Sequence, residues 1–342
     1  AASTLVDYVS LTQKGGLPRL KLPKRFEVGE FLEIDASTRR NLELTRTQTG
    51  EFKGSLLEAI DFTLTAPGAR LLAMHMANPL HDVDAINRRL DSVAYFIEHS
   101  QIHQEVRQML YTFPDLERSL SRLSVGRGGP RDLAAIRNGL LGIAHMREIF
   151  SPKDQGFGHL PDAFKKIVER LGRHSSLYEK LSNALALELP FLARDGGFIA
   201  QGYHGEFDRI CALRDNGKAM MMQLQYRYRS AYNSPSLKIK HNNICGCHGE
   251  ITATHADKIP YDFIHRQTMA TAQRYTTTQL HEMEQELNAS ADMALNLELR
   301  LYEDLVGDVL KQGEDIARCA NAVASVDVLA SPGELATSYN HT

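Results

Sequence analysis

Tryptophan is absent from this chain, and cysteine is scarce: 342 residues hold four thiols, Cys211, Cys245, Cys247 and Cys319. Thiols so few and so spread belong to a reducing compartment, not to a disulfide scaffold. No apolar run of about 18 residues occurs and no stretch reads as a signal peptide, so neither membrane spanning nor export is indicated. A cytoplasmic location with no membrane partner is expected. Strong net charge is missing as well. The formal charge of −3 excludes a wholly basic nucleic-acid binder and leaves room only for a local basic surface.

Catalytic signatures are also lacking. Fourteen histidines among many hydroxyls and carboxylates guarantee chance pairs, yet neither G-x-S-x-G nor H-E-x-x-H is present. No G-x-x-x-x-G-K-[ST] loop occurs, because Gly217-Lys218 lacks its first glycine and falls within a helical pattern. Cys245-Gly246-Cys247-His248 invites a zinc reading, but one residue separates the cysteines and no second ligand pair lies nearby. Packed thiols, and no metal, are expected there.

What the chain does have is period. Hydrophobic residues make up 43% and charged residues 24%, as in soluble globular proteins. Leu237-Lys238-Ile239-Lys240-His241 and Glu250-Ile251-Thr252-Ala253-Thr254 alternate around a loop with Asn242, Asn243 and glycines, which predicts an antiparallel hairpin. Lys238 and Lys240 then share one face. Gly205 to Tyr275 carries ten Lys and Arg against six Asp and Glu, so a basic segment is set into an acidic body.

Helical spacing dominates elsewhere. Phe31–Asp35 reads as a short strand. Asp82 caps a helix with apolar Val83, Ile86, Leu90, Val93, Ala94 and Ile97. Further helices are predicted at 101–111, 115–124, 131–149, 160–172 and 175–187. A long helix begins near Gly205, with a stripe through Phe207, Ile210, Leu213, Gly217, Met221, Leu224 and Tyr228. A second is predicted from Asp262 through Ile264, Thr268, Tyr275, Leu280 and Met283 to Val309, with Gly307 or Gly313 ending it. The two are expected to pair along their stripes, and Met220, Met221 and Met222 read as packing filler.

Four stretches carry a resemblance to the MutS family of DNA mismatch-repair proteins. They are Leu32–Leu44, Gly54–Leu57 through Thr65–Leu72 to Pro79-Leu80, Ser236–Asn243, and Phe263–Thr268 through Ala272–Thr276. Their order and spacing agree over essentially the whole chain. Departures are Cys247-His248-Gly249 where the family has aromatic and β-branched residues, His75 where a large apolar residue often sits, and Thr271 where an asparagine is usual.

The resemblance implies a mainly α fold, in which a multi-helix core extends two long lever helices to an inserted clamp with a small antiparallel sheet. The implied division is core at 1–197, clamp at 198–275 and returning core at 276–342. It further implies duplex DNA as partner, with backbone contacts from Lys238, Lys240, His241, Asn242, Asn243, Thr271 and Arg274. Arg266 is assigned instead to an i,i+4 pair with Asp262. The first residue is alanine and the last five close no motif, as in an excised piece. The mismatch-reading and ATPase parts would lie outside it, so the piece alone would be no enzyme and would hold no cofactor. ATP and Mg, a homodimeric self-partner and a downstream repair partner would belong to the whole protein, which would work at the nucleoid. Three readings compete: a helical scaffold whose arm binds a protein, a metal enzyme on the Cys-His stretch, and a recombination-type relative holding branched DNA.

Overall fold

The computed structural model describes residues 2–12, 31–151, 159–231, 235–242, 246–252, 263–269 and 272–339. The fold is mainly α with one small antiparallel sheet, as expected. The chain divides into two compact units, Ala1–Leu185 with Asp304–Thr342, and Ala186–Glu303.

The first unit contains α1 (Ala2–Thr12), α2 (Ala36–Asn41), α3 (Leu56–Ile60), α4 (Ala66–Ala77), α5 (Val83–Glu98), α6 (Ser100–Tyr111), α7 (Leu116–Ser124), α8 (Pro130–Ile149), α9 (Asp162–Glu169) and α10 (Ser175–Ala184). The second contains α11 (Gly205–Ala231), β1 (Lys238–Asn242), β2 (Gly246–Thr252), β3 (Ile264–Thr268) and β4 (Ala272–Thr276). The chain passes back within α12 (Thr278–Lys311) and ends in α13 (Gly313–Tyr339).

Local chemistry sets the helix starts. Asp82 accepts the amides of Asp84 and Ala85, Ser55 that of Glu58, and Thr65 that of Gly68, each satisfying donors that a helix N-terminus leaves open. In the first unit α13 is the central helix, packed against α4, α5, α6, α7 and α9. Its face of Ile316, Ala320, Val323, Val326 and Ala330 is buried. Small side chains on that face let the neighbours come close. An aromatic group of Phe96, Phe150 and Phe164 is buried in the same unit, with ring centroids 5.0 to 6.4 Å apart.

A buried carboxylate ties α13 to the start of α4. Asp327 is fully buried and accepts the Leu64 amide at 3.0 Å, the Thr65 amide at 2.8 Å and the Thr65 hydroxyl at 2.6 Å. Burial pushes its carboxyl above the ordinary value despite those donors.

Several expectations differ from the structure. Phe31–Asp35 forms no strand, and only Phe31 bridges to Leu80. Gly307 lies inside α12 and does not end it; the break falls at Gln312, before Gly313. Leu213, Met220 and Met222 are exposed, at 64%, 55% and 73%, so Met221 alone of the three methionines joins the packing.

His75 sits half-buried on α4, and burial, with the Arg89 charge second, lowers its pKa to about 4. The fold therefore holds it neutral. The stability this contributes is present above the unfolded value near 6.5 and is lost as pH falls toward about 4. Urea unfolding at pH 7 and pH 5 should show about 1 to 2 kcal/mol of loss that His75→Phe removes. An unchanged pH difference in that variant would exclude His75 as the source.

Candidate nucleic-acid interface

The second unit's sheet runs in the order β1-β2-β4-β3, antiparallel throughout. One face supplies Leu237, Cys247, Ile251 and Tyr275 to a core completed by Leu224 and Tyr228 of α11, Leu280 of α12, and Phe263. Tyr228 and Thr277 join their hydroxyls at 2.7 Å, and Thr277 caps α12 by accepting the Leu280 amide at 3.0 Å. The helix pair thus carries the sheet on its inner face; on the outer face Lys238, Lys240 and Gln267 are exposed, while His248, Ala272 and Thr276 are buried and Arg274 is 17% exposed.

The hairpin is present, but its second strand starts earlier than the sequence spacing suggests, at Gly246 instead of Glu250. Gly246 adopts φ +63°, and a Cβ there would meet Glu284 Oε1 at 2.6 Å. A left-handed, side-chain-free position lets the strand begin where the α12 carboxylate passes. Glu284 also accepts the Cys247 amide at 2.7 Å, and burial, then this carboxylate, raises the Cys247 thiol to about 11. Cys247 is an inert core thiol.

The region predicted as the start of the second long helix is a second hairpin, and this is the largest correction. Ile264–Thr268 pairs with Ala272–Thr276, and the helix begins only at Thr278. Ile264, Thr268, Tyr275 and Thr276 are strand formers, and the inward placement of Phe263 and Tyr275 settles the competition that spacing alone left to a helix. Arg266 is thus an exposed strand residue, and its supposed partner Asp262 lies outside the described residues.

Register places the candidate residues. Lys238 faces Glu250 across β1 and β2, Glu250 faces Arg274 across β2 and β4, and Arg274 faces Gln267 across β4 and β3. These four form one row on the outer face, with Lys240 one step along β1 on the same side. Lys240 Nζ lies 2.6 Å from Glu250 Oε1 and Arg274 Nε 3.6 Å from Oε2. An Arg274 terminal nitrogen donates to Gln267 Oε1 at 2.8 Å. The hydrogen bond from Lys240 leads the causes that hold the Glu250 carboxyl below its ordinary value. Lys238 is exposed and has no ion pair with a described residue.

His241 goes elsewhere. Its register partner is Cys247, so it belongs to the opposite face, where its Nε2 lies 3.9 Å from Glu284 Oε1. Asn242 ends β1 opposite Gly246, while Asn243 and Thr271 lie outside the described residues. The structure therefore brings Lys238, Lys240 and Arg274 together and separates His241 from them. Glu250, which completes the row with Gln267, is not marked by the sequence pattern as a site residue. Glu250 alternates in phase with its strand, but only the register shows that it meets two cations.

Among the described residues no group of three His, Cys, Asp or Glu is placed to hold a metal ion. No helix of the described residues is long and apolar enough to cross a membrane. The outer face offers the two exposed lysine amines beside the Arg274 guanidinium, which Glu250 and Gln267 hold, a chemistry suited to phosphate oxygens.

Known proteins resemble the chain along its whole length. DNA mismatch repair protein MutS of Nitrobacter hamburgensis is 44% identical over 351 residues, covering 100% of this chain and 38% of that protein. The protein of the same name from Roseobacter denitrificans is 43% identical over 343 residues, covering 99% and 38%. That of Dinoroseobacter shibae is 44% identical over 341 residues, covering 98% and 38%. The chain thus spans about two fifths of the length of these relatives. The family model described as MutS domain III matches residues 37–332, which takes in both helical units and the sheet, and the chain belongs to the MutS domain III family.

Proposed function

We propose that this chain is the lever and clamp part of a DNA mismatch-repair protein, and that its sheet grips the backbone of duplex DNA without reading sequence. The observation that carries the reading is the outer row of the sheet, where Lys238, Lys240 and Arg274 collect on one face while the other is packed against α11 and α12. Asn242, Asn243 and Thr271 flank that row in sequence and extend the contact to phosphates, while His241, on the opposite face, is no part of it. Such contacts set position and affinity, not base preference.

The clamp is proposed for 198–275, between core segments 1–197 and 276–342. In the relatives' remaining length would lie an ATPase using ATP and Mg, so this part alone catalyses nothing and binds no cofactor. Coupling would run along α12, an unbroken helix of 34 residues through the boundary at Glu303. The whole protein would act as a homodimer on DNA at the cytoplasmic nucleoid, with a downstream repair partner.

The test is fluorescence anisotropy of this chain on matched and mismatched duplexes across a salt series. Binding should weaken steeply with salt and ignore the mismatch. Lys238→Ala with Lys240→Ala should flatten the log–log slope by about two. No binding at low salt, or an unchanged slope, would overturn the reading.

One feature favours a second reading. Met222 and Tyr226 are exposed at 73% each on α11, as on an arm that holds a protein partner. Salt-insensitive binding to a protein would support that alternative.

A further inference from the structure

The first unit contains a concavity that the DNA reading does not use. It has a volume of about 460 Å³ and is formed by the end of α9, the turn into α10 and the first turns of α13. Four of its lining side chains are Lys166, Arg170, Arg173 and Arg318, against two carboxylates, Glu169 and Asp315. Asp315 is already engaged by Arg318, at 3.2 Å. Lys166, Arg170 and Arg173 have no ion pair with a described residue, so three cations face one small space with Glu169 as their remaining counter-charge.

The base of this space is rigid. Gly172 turns the chain at φ +59°, and a Cβ there would lie 2.9 Å from His174 Nε2 and 3.2 Å from Cys319 Sγ. The Gly172 carbonyl accepts from the Arg147 guanidinium. The Cys319 thiol donates to the Leu171 carbonyl at 3.2 Å. His174 is held at both ring nitrogens, by Gln312 Oε1 at 3.2 Å and Cys319 Sγ at 3.3 Å. Burial raises the Cys319 thiol to about 11, so the floor adds no negative charge. A turn fixed by part-buried contacts thus carries three cations against the single carboxylate left free among the described residues, that of Glu169.

We propose that this concavity binds a small phosphorylated molecule, with Lys166, Arg170 and Arg173 on its phosphate oxygens. Guanidinium groups pair phosphate in two-pronged fashion and an ammonium adds a point charge. The volume falls within the range of small-molecule pockets and exceeds what one bare anion needs. The inference rests on this unit's own shape and charge and is independent of the duplex grip proposed for the sheet.

Thermal unfolding of the full chain with inorganic pyrophosphate as probe tests it, beside Arg170→Ala with Arg173→Ala. Both arginines are exposed, so the variant should unfold at the wild-type midpoint without ligand. Near ten times the dissociation constant, pyrophosphate should raise the wild-type midpoint by about 3 °C and leave the variant's unmoved. No rise in the wild type, or an equal rise in the variant, would overturn the proposal. So would an equal rise with sulfate at matched ionic strength, which would mark general anion screening. Loss of duplex binding in the same variant would mean that the site serves nucleic acid, and the small-molecule assignment would fall.

Discussion

Glu250→Gln is expected to tighten duplex binding about tenfold at low salt and to steepen the log–log salt slope by about one. The carboxylate stands between two of the three cations of the outer row, 2.6 Å from Lys240 Nζ and 3.6 Å from Arg274 Nε. Its lowered pKa, caused first by the Lys240 hydrogen bond, keeps it charged wherever the protein works. A phosphate arriving at this row must compete with an internal anion and is repelled by it. Glutamine keeps the oxygen that accepts from Lys240 and removes the charge. Anisotropy of wild type and variant across the same salt series checks the result. Weaker binding by the variant would show that Glu250 serves to orient the two cations, and the competition argument would be wrong. Absence of wild-type binding would instead count against the duplex reading itself.

Glu298→Ala should cost the second unit about 3 to 5 kcal/mol, a large share of the roughly 5 to 15 kcal/mol that a domain has to lose. Glu298 lies on α12 and is buried at 3% exposure. Its two oxygens accept the amides of Gly197, Phe198 and Ile199 at 2.9, 2.7 and 2.9 Å. Those amides belong to a strap that seats Phe198, fully buried and 5.8 Å edge-on from Tyr302. Alanine would strand the buried amides of Phe198 and Ile199, release that of the exposed Gly197, and leave space where a carboxylate stood. Glutamine retains one acceptor oxygen and should cost about half as much. Urea unfolding followed by hydrogen exchange at 197–199 measures both. Equal stability of the alanine and glutamine variants would remove the carboxylate from this role.

Much of the local structure was legible beforehand because its causes are local. Asp82 caps α5 through atoms two and three residues away, and helical spacing marked α5 to α8 nearly to the residue. Alternation put Lys238 and Lys240 on one face of β1, and the described register agrees. The segment 263–276 was misread for an equally physical reason. Ile264, Thr268 and Tyr275 satisfy helical spacing as well as strand alternation interrupted by a turn. Only the pairing of β4 with both β2 and β3 decides between them.

The candidate site was legible in part. Its lysines announce themselves by alternating with apolar neighbours. Arg274, a backbone contact by the family resemblance and expected within a helix, reaches the same row by strand register. His241 follows Lys240 in sequence and so was grouped with it, yet in a strand adjacent residues point to opposite sides. It faces Glu284, not the row.

The sequence by itself determined the class of fold, the caps, the basic alternating strand and the family resemblance, since each depends on residues close together or on order along the chain. The tertiary structure alone decided which carboxylates matter. Glu250, Glu284, Glu298 and Asp327 meet partners 10 to 263 residues away in the chain. Nothing in a charged residue's neighbours reveals which distant amide or cation will be folded against it. Burial makes Glu298 and Asp327 indispensable, because a desolvated donor left without its acceptor has no water to turn to.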